Sequence, residues 1–157
     1  MTILGIDPGT ARIGWSVIGG TVHSPTPYAC GLVTTPKEDG KEARLTILFD
    51  SITAIIKKYT PDVASIEDLF FATNAKTAIS VGEARGVILL ACVKTGLPVV
   101  SYTPLAIKRT ITGNGQADKK QVEKMIVQIL KLKTAPKPDD VCDACAIALT
   151  HLYTNTY

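Results

Sequence analysis

Residues 2–20 read Thr2-Ile3-Leu4-Gly5-Ile6-Asp7-Pro8-Gly9-Thr10-Ala11-Arg12-Ile13-Gly14-Trp15-Ser16-Val17-Ile18-Gly19-Gly20. A short apolar run closes on an aspartate, Pro8-Gly9 turns the chain, and a second apolar run follows from Ile13 to Ile18. This spells strand, turn, strand. Tyr28 to Thr34 supplies a third strand, with Pro25 and Pro27 leaving open whether the hairpin closes at the glycine pair or after a longer loop.

Outward from there the period changes. Between Glu42 and Tyr59 apolar residues recur at threes and fours (Leu45, Leu48, Phe49, Ile52, Ile55, Ile56), with Lys57 and Lys58 in the last turn and Pro61 beyond, so a helix is expected. Val63 to Ile66 is a brief strand closed by Glu67-Asp68. A long helix runs from about Asn74 to Thr95 with Gly96 as its terminator. Val99 to Tyr102 is a fifth strand, Pro104 opens a short helix, and Lys119 to Leu132 forms another after the loop Thr112 to Asp118. Asp139 or Asp140 is expected to cap a last helix reaching about His151. Three leading strands followed by alternating helix and strand predict an α/β fold: a mixed five-stranded sheet flanked by helices. Residues 1–157 show no internal repeat or linker, so one domain is expected.

Composition narrows the class. With 157 residues, 46% of them hydrophobic and 20% charged, the chain can bury one core without staples. Val87 to Val93, the longest strongly apolar run, is too short for a bilayer, and the N-terminus does not read as a secretory leader. Four cysteines do not make a disulfide scaffold at this length, so reduced thiols, a cytoplasmic location and no membrane partner are expected. Residues 94–137 carry nine basic against two acidic side chains, whereas 138–157 carry three acids and no Lys or Arg. That asymmetry predicts a basic surface beside an acidic pocket, although a lysine-rich helix face in solvent would read the same way.

The informative acids are those at the ends of apolar strands. Asp7 follows Ile6, and Glu67 follows Ile66; on neighbouring strands their ends would lie about 5 Å apart. Asp140 and Asp143, three apart on a helix, share one face at about 5 to 6 Å. Four converging carboxylates raise one another's proton affinity unless a cation neutralises them, which implies a divalent metal, and oxygen-only ligands favour Mg²⁺ or Mn²⁺ over Zn²⁺. Two such ions suit phosphodiester hydrolysis. Taken singly, each acid has a plain alternative: Asp7 capping a turn, Glu67 a rim charge, Asp140 and Asp143 complementing a helix dipole.

At these residues the sequence resembles the RuvC family of Holliday-junction resolvases, bacterial endonucleases with a ribonuclease-H-like fold. The resemblance is carried by Gly5-Ile-Asp-Pro-Gly9, Ile66-Glu67 with Phe70 and Asn74, Gly82-Glu-Ala-Arg-Gly86, Asp140-Val-Cys-Asp143-Ala144 and Ala146-Ile-Ala-Leu-Thr-His151. It implies Asp7, Glu67, Asp140 and Asp143 as a catalytic tetrad holding Mg²⁺. It also implies Phe70 stacking on bases near the crossover, and Lys108 and Lys119, with Lys120 beside it, near the DNA backbone. A homodimer nicking two opposing strands of a four-way junction, working alongside the RuvA and RuvB branch-migration proteins, completes what it implies. A nucleotide-binding ATPase also uses a turn like Asp7-Pro-Gly-Thr10, but this chain lacks the length for a second lobe. A nuclease for another substrate and a catalytically inactive junction-binding module are the remaining alternatives.

Other residues have plainer expectations. Ala78, Gly82 and Gly86 form a small-residue stripe on the long helix, suited to close packing within the chain or across a dimer. Phe71 is expected in the core. Cys142-x-x-Cys145 tempts a zinc reading, but no second such pair exists and helical spacing turns both toward an apolar face with Ala146, Leu149 and Leu152. His151 is expected to be structural or on the surface rather than catalytic.

Overall fold

The computed structural model describes residues 1–9, 11–68 and 75–155. Five strands and five helices follow in the order β1 (Ile3–Asp7), β2 (Arg12–Thr21), β3 (Ser24–Thr34), α1 (Lys41–Tyr59), β4 (Val63–Glu67), α2 (Ala75–Lys94), β5 (Val99–Tyr102), α3 (Pro104–Thr112), α4 (Lys119–Ile129) and α5 (Asp139–Thr154). The sheet order is β3-β2-β1-β4-β5, antiparallel among the first three strands and parallel between β1, β4 and β5. The mixed sheet flanked by helices is the one the sequence predicts.

Alternation along each strand divides the interior in two. Leu4, Ile6, Ile13, Val17, Ala64 and Ile66 face α1 and α2, packing on Leu48, Ile52, Ile56, Ala84 and Ile88. The opposite side, with Ile3, Ile18 and Val63, packs on α5, α3 and α4. α5 is buried along nearly its whole length, from Val141 to Leu152 apart from Asp143, because Ala144, Cys145, Ala146 and Ala148 are small enough to let it lie flat on the sheet. Cys142 and Cys145 belong to that apolar face, and burial pushes both thiols up to about 12. His151 is buried too, its Nδ1 2.8 Å from the Tyr102 hydroxyl, a structural place.

Several boundaries differ from expectation. The hairpin closes beyond the glycine pair, at Val22-His23, and β3 begins at Ser24 with both prolines inside it. β3 is an edge strand, where a residue without an N–H is tolerated, and a bulge at Val17/Ile18 absorbs the irregularity. Neither Asp139 nor Asp140 caps α5: Pro138 holds the cap position without a side-chain bond, and both aspartates lie in the first turn. α4 stops at Ile129, short of Leu132, where Lys131 turns left-handed. Among the described residues no helix is long and apolar enough to cross a membrane.

Candidate active site

Strand parity decides where the acids point. Ile3, Gly5 and Asp7 share the α5 side of β1, and Val63, Ser65 and Glu67 share it on β4. The parallel register pairs Ile6 with Ile66, so Asp7 and Glu67 come next on adjacent strands. From above, α5 brings its first turn down onto the same sheet end.

Small residues in the strands make that approach possible. A Cβ on Gly5 would overlap the Ala144 carbonyl, and one on Gly14 would overlap the Asp140 carbonyl. Ser16 donates its hydroxyl to the Ala144 carbonyl and Ser65 to the Ile147 carbonyl, each at 2.9 Å. Four strand residues with little or no side chain thereby set the height of Asp140 and Asp143 above Asp7. Sequence reasoning passed over them, though their alternation (Gly14, Ser16; Gly5; Ser65) was a readable signal for a helix backbone lying close.

Electrostatics record the convergence. Asp7 is pushed up to about 8, first by burial and then by Glu67, Asp143 and Asp140, with Lys119 pulling the other way. Burial and Asp143 raise Glu67, against Lys108. Asp143 is raised by burial, with Lys119 opposing and Asp139 and Asp140 reinforcing. The four acids named from sequence therefore lie at one end of the sheet, near enough for the other three to raise Asp7.

The cations lie on both flanks. Glu67 and Asp143 line a hollow of about 240 Å³ together with Lys108 of α3 and Lys119 of α4. Lys119 reaches Asp143 at 3.3 Å and Asp139 at 3.4 Å. Partial burial works against its charge, but the two aspartates outweigh this and raise its pKa. Its place is fixed by a capping box: Asp118 Oδ1 accepts from the Gln121 N–H at 2.9 Å, and Gln121 Oε1 from the Asp118 N–H at 2.8 Å, so α4 starts at Lys119. Lys120 is exposed and outside the hollow. On the other flank Arg12, at the start of β2, stands 3.2 Å from Asp140, a pair the sequence reading missed. Phe70, Phe71 and Asn74 lie outside the described residues.

As placed, the side chains are not drawn to a common point, and among the described residues no group of three or more His, Cys, Asp or Glu is close enough to hold a metal ion. The donor chemistry nonetheless fits a divalent cation. Asp140 Oδ2 is buried with no hydrogen bond, and four carboxylates burden one another with charge that burial makes worse.

Comparison with known proteins agrees with this architecture. The family model described as "Crossover junction endodeoxyribonuclease RuvC" matches residues 3–151. A protein of that name from Caldicellulosiruptor saccharolyticus is 45% identical over 159 residues, covering 99% of this chain and 95% of the relative. The structure of Thermus thermophilus RuvC in complex with a Holliday junction substrate superposes with a TM-score of 0.94 at 31% identity, covering 99% and 94% of the two chains. The yeast mitochondrial Holliday junction resolvase, 13% identical with a TM-score of 0.68 over 96% of this chain and 78% of that one, shares the fold. With its ribonuclease-H-like sheet, its strand-end acids and a family match over nearly its whole length, the chain belongs to the RuvC family of crossover junction endodeoxyribonucleases.

Proposed function

We propose that the protein is a Mg²⁺-dependent, structure-selective endonuclease that resolves four-way DNA junctions by nicking two opposing strands symmetrically. The observation that carries this is geometric: Asp7 and Glu67 end adjacent parallel strands, and the start of α5, which bears Asp140 and Asp143, seats on Gly14 at the same sheet end. Asp7, Glu67, Asp140 and Asp143 would hold the metal, two ions per subunit, with Mn²⁺ able to replace Mg²⁺. When bound, such ions supply an activated water and neutralise the leaving oxygen of a phosphodiester. Around them the chain's own residues do the rest. Gly5, Gly14, Ser16 and Ser65 fix the height of α5, and Lys108 and Lys119 present positive charge to the DNA backbone on the α3–α4 flank. Lys120 adds general attraction from its exposed position. Phe70 would stack on an unpaired base near the crossover.

The exposed face of α2 supports a homodimer. Ile79, Gly86, Leu90 and Val93 fall on one helical stripe, with Ile79, Leu90 and Val93 at 63%, 52% and 71% exposed, and a Cβ on Gly86 would meet nothing within 4 Å. A two-fold junction cut at paired positions suits two sites related by a two-fold axis. RuvA and RuvB are the partners this reading brings with it, in the cytoplasm.

The test is cleavage of a mobile four-way junction with Mg²⁺, beside linear duplex and RNA/DNA hybrid, by the wild type and Asp7→Asn. Paired nicks on the junction alone, lost in a variant that still binds it, are expected. Cleavage of the hybrid instead would move the substrate, and no metal-dependent cleavage would reduce the protein to a binding module.

A further inference from the structure

The acidic cluster is flanked asymmetrically. On the α3–α4 side Lys108 and Lys119 share a hollow with Glu67 and Asp143. On the β2 side stands Arg12, whose parity with Gly14, Ser16 and Ile18 turns it toward α5 and whose Nη2 lies 3.2 Å from Asp140 Oδ2. The geometry of that pair is loose. The carboxylate oxygen is buried yet takes no hydrogen bond, so the guanidinium neutralises charge without being locked to its partner. The Arg12 side chain is 58% exposed, against 23% for Asp140, leaving its planar fork of donors room to swing outward.

Behind Arg12 the surface continues in the same sense. Ala11 accepts from the Thr35 N–H at 3.1 Å, and the Thr35 hydroxyl accepts from Arg44 Nε at 2.9 Å, so a second guanidinium is held beside the β2–β3 sheet end. A nucleic-acid strand whose reacting phosphate lies over the four acids has further phosphates on either side. Those on the α3–α4 side would face Lys108 and Lys119, and the next one on the β2 side would face Arg12.

We propose that Arg12 is a phosphate-binding residue that exchanges partners: it neutralises Asp140 while the acidic cluster lacks metal, and turns to a DNA backbone phosphate flanking the scissile one when a cation takes over Asp140. This rests on the reading of the site as a metal-dependent nuclease. It gives Arg12 two effects of opposite sign, because the same guanidinium competes with metal and recruits DNA.

Two measurements on the full chain with Arg12→Gln and Arg12→Lys test it. Mn²⁺ is titrated calorimetrically into the DNA-free protein, and four-way junction binding is followed over a salt series with saturating Ca²⁺ present, so that a divalent cation occupies the acids while the slope is read. Arg12→Gln is expected to bind Mn²⁺ about threefold or more tightly, and to lose about 0.9 from the slope of log K against log[salt], the contribution of one phosphate contact. Arg12→Lys is expected to keep the slope, since the charge remains. An unchanged slope in Arg12→Gln overturns the phosphate contact whatever the Mn²⁺ result, and unchanged Mn²⁺ affinity overturns the exchange. If the wild type itself binds junction but no Mn²⁺, and Asp7→Asn behaves identically, the nuclease reading fails instead, a pattern the Arg12 variants alone cannot produce.

Discussion

Gly14 of β2 lies directly beneath Asp140 of α5, so close that a Cβ on the glycine would occupy the space of the Asp140 carbonyl. The obstruction is backbone rather than a rotatable side chain, so no rotamer change relieves it. Gly14→Ala is expected to cost about 3 kcal/mol or more of stability, at the upper end of overpacking. It should also lift the first turn of α5 from the sheet. Chemical denaturation measures the first effect, and junction cleavage by the fraction still folded measures the second, with a loss of ~10-fold or more expected.

Stability should fall as pH rises, contrary to the usual behaviour of carboxylates. Asp7 ionises near 3.8 in the unfolded chain and near 8 in the fold. Between those values the native state binds more protons than the unfolded one, so the slope of unfolding free energy against pH is negative for this group. Its stabilising contribution is complete below about pH 3.8 and is lost as pH climbs through about 8. Urea unfolding of the metal-free protein at pH 5, 6, 7 and 8, each about one pH step apart, should show the decline relative to Asp7→Asn, which lacks the titrating proton. Mg²⁺ or Mn²⁺ should reverse it by binding the ionised native site.

Removing the Lys119 charge separates chemistry from stability. Its ion pairs at 3.3 and 3.4 Å involve a side chain 54% exposed, and pairs of that kind contribute about 0–1 kcal/mol. Lys119→Ala is therefore expected to leave the thermal midpoint almost unmoved while slowing junction cleavage by ~10²-fold, the scale of losing a cation beside a reacting phosphate. Single-turnover cleavage at saturating Mg²⁺, set beside a thermal melt, checks both.

The stripe on α2 can be charged without touching the core. Leu90 is 52% exposed within the chain, so Leu90→Glu costs the isolated fold little. Placed across a dimer interface, the same charge is buried against its own copy and repels it. Light scattering should then report half the wild-type mass, with an unchanged far-UV dichroism spectrum. A wild-type protein already monomeric at micromolar concentration would remove the interface.

The mixed five-stranded sheet and the candidacy of the four acids were legible because they follow from local patterns: apolar runs closing on Asp7 and Glu67, and a pair three apart on a helix. The β2–β3 hairpin was harder, since Pro25 and Pro27 argue against a strand until β3 is known to be an edge. The capping box that starts α4 was present as Asp118-x-x-Gln121, a sequence signature left unread. Arg12 was illegible for a different reason. Its partner Asp140 is 128 positions away, and only the close seating of α5 on Gly14 brings the two together.

The burial of α5 has a consequence for partly folded chains. Asp140 and Asp143 ride on a helix buried on the sheet along most of its length, so its amides beyond the first turn should exchange at the free energy of global unfolding. Local fraying elsewhere in the molecule leaves the acids in register, whereas losing the central helix removes half of them at once. A chain that has lost α5 thus retains only Asp7 and Glu67 of the four acids.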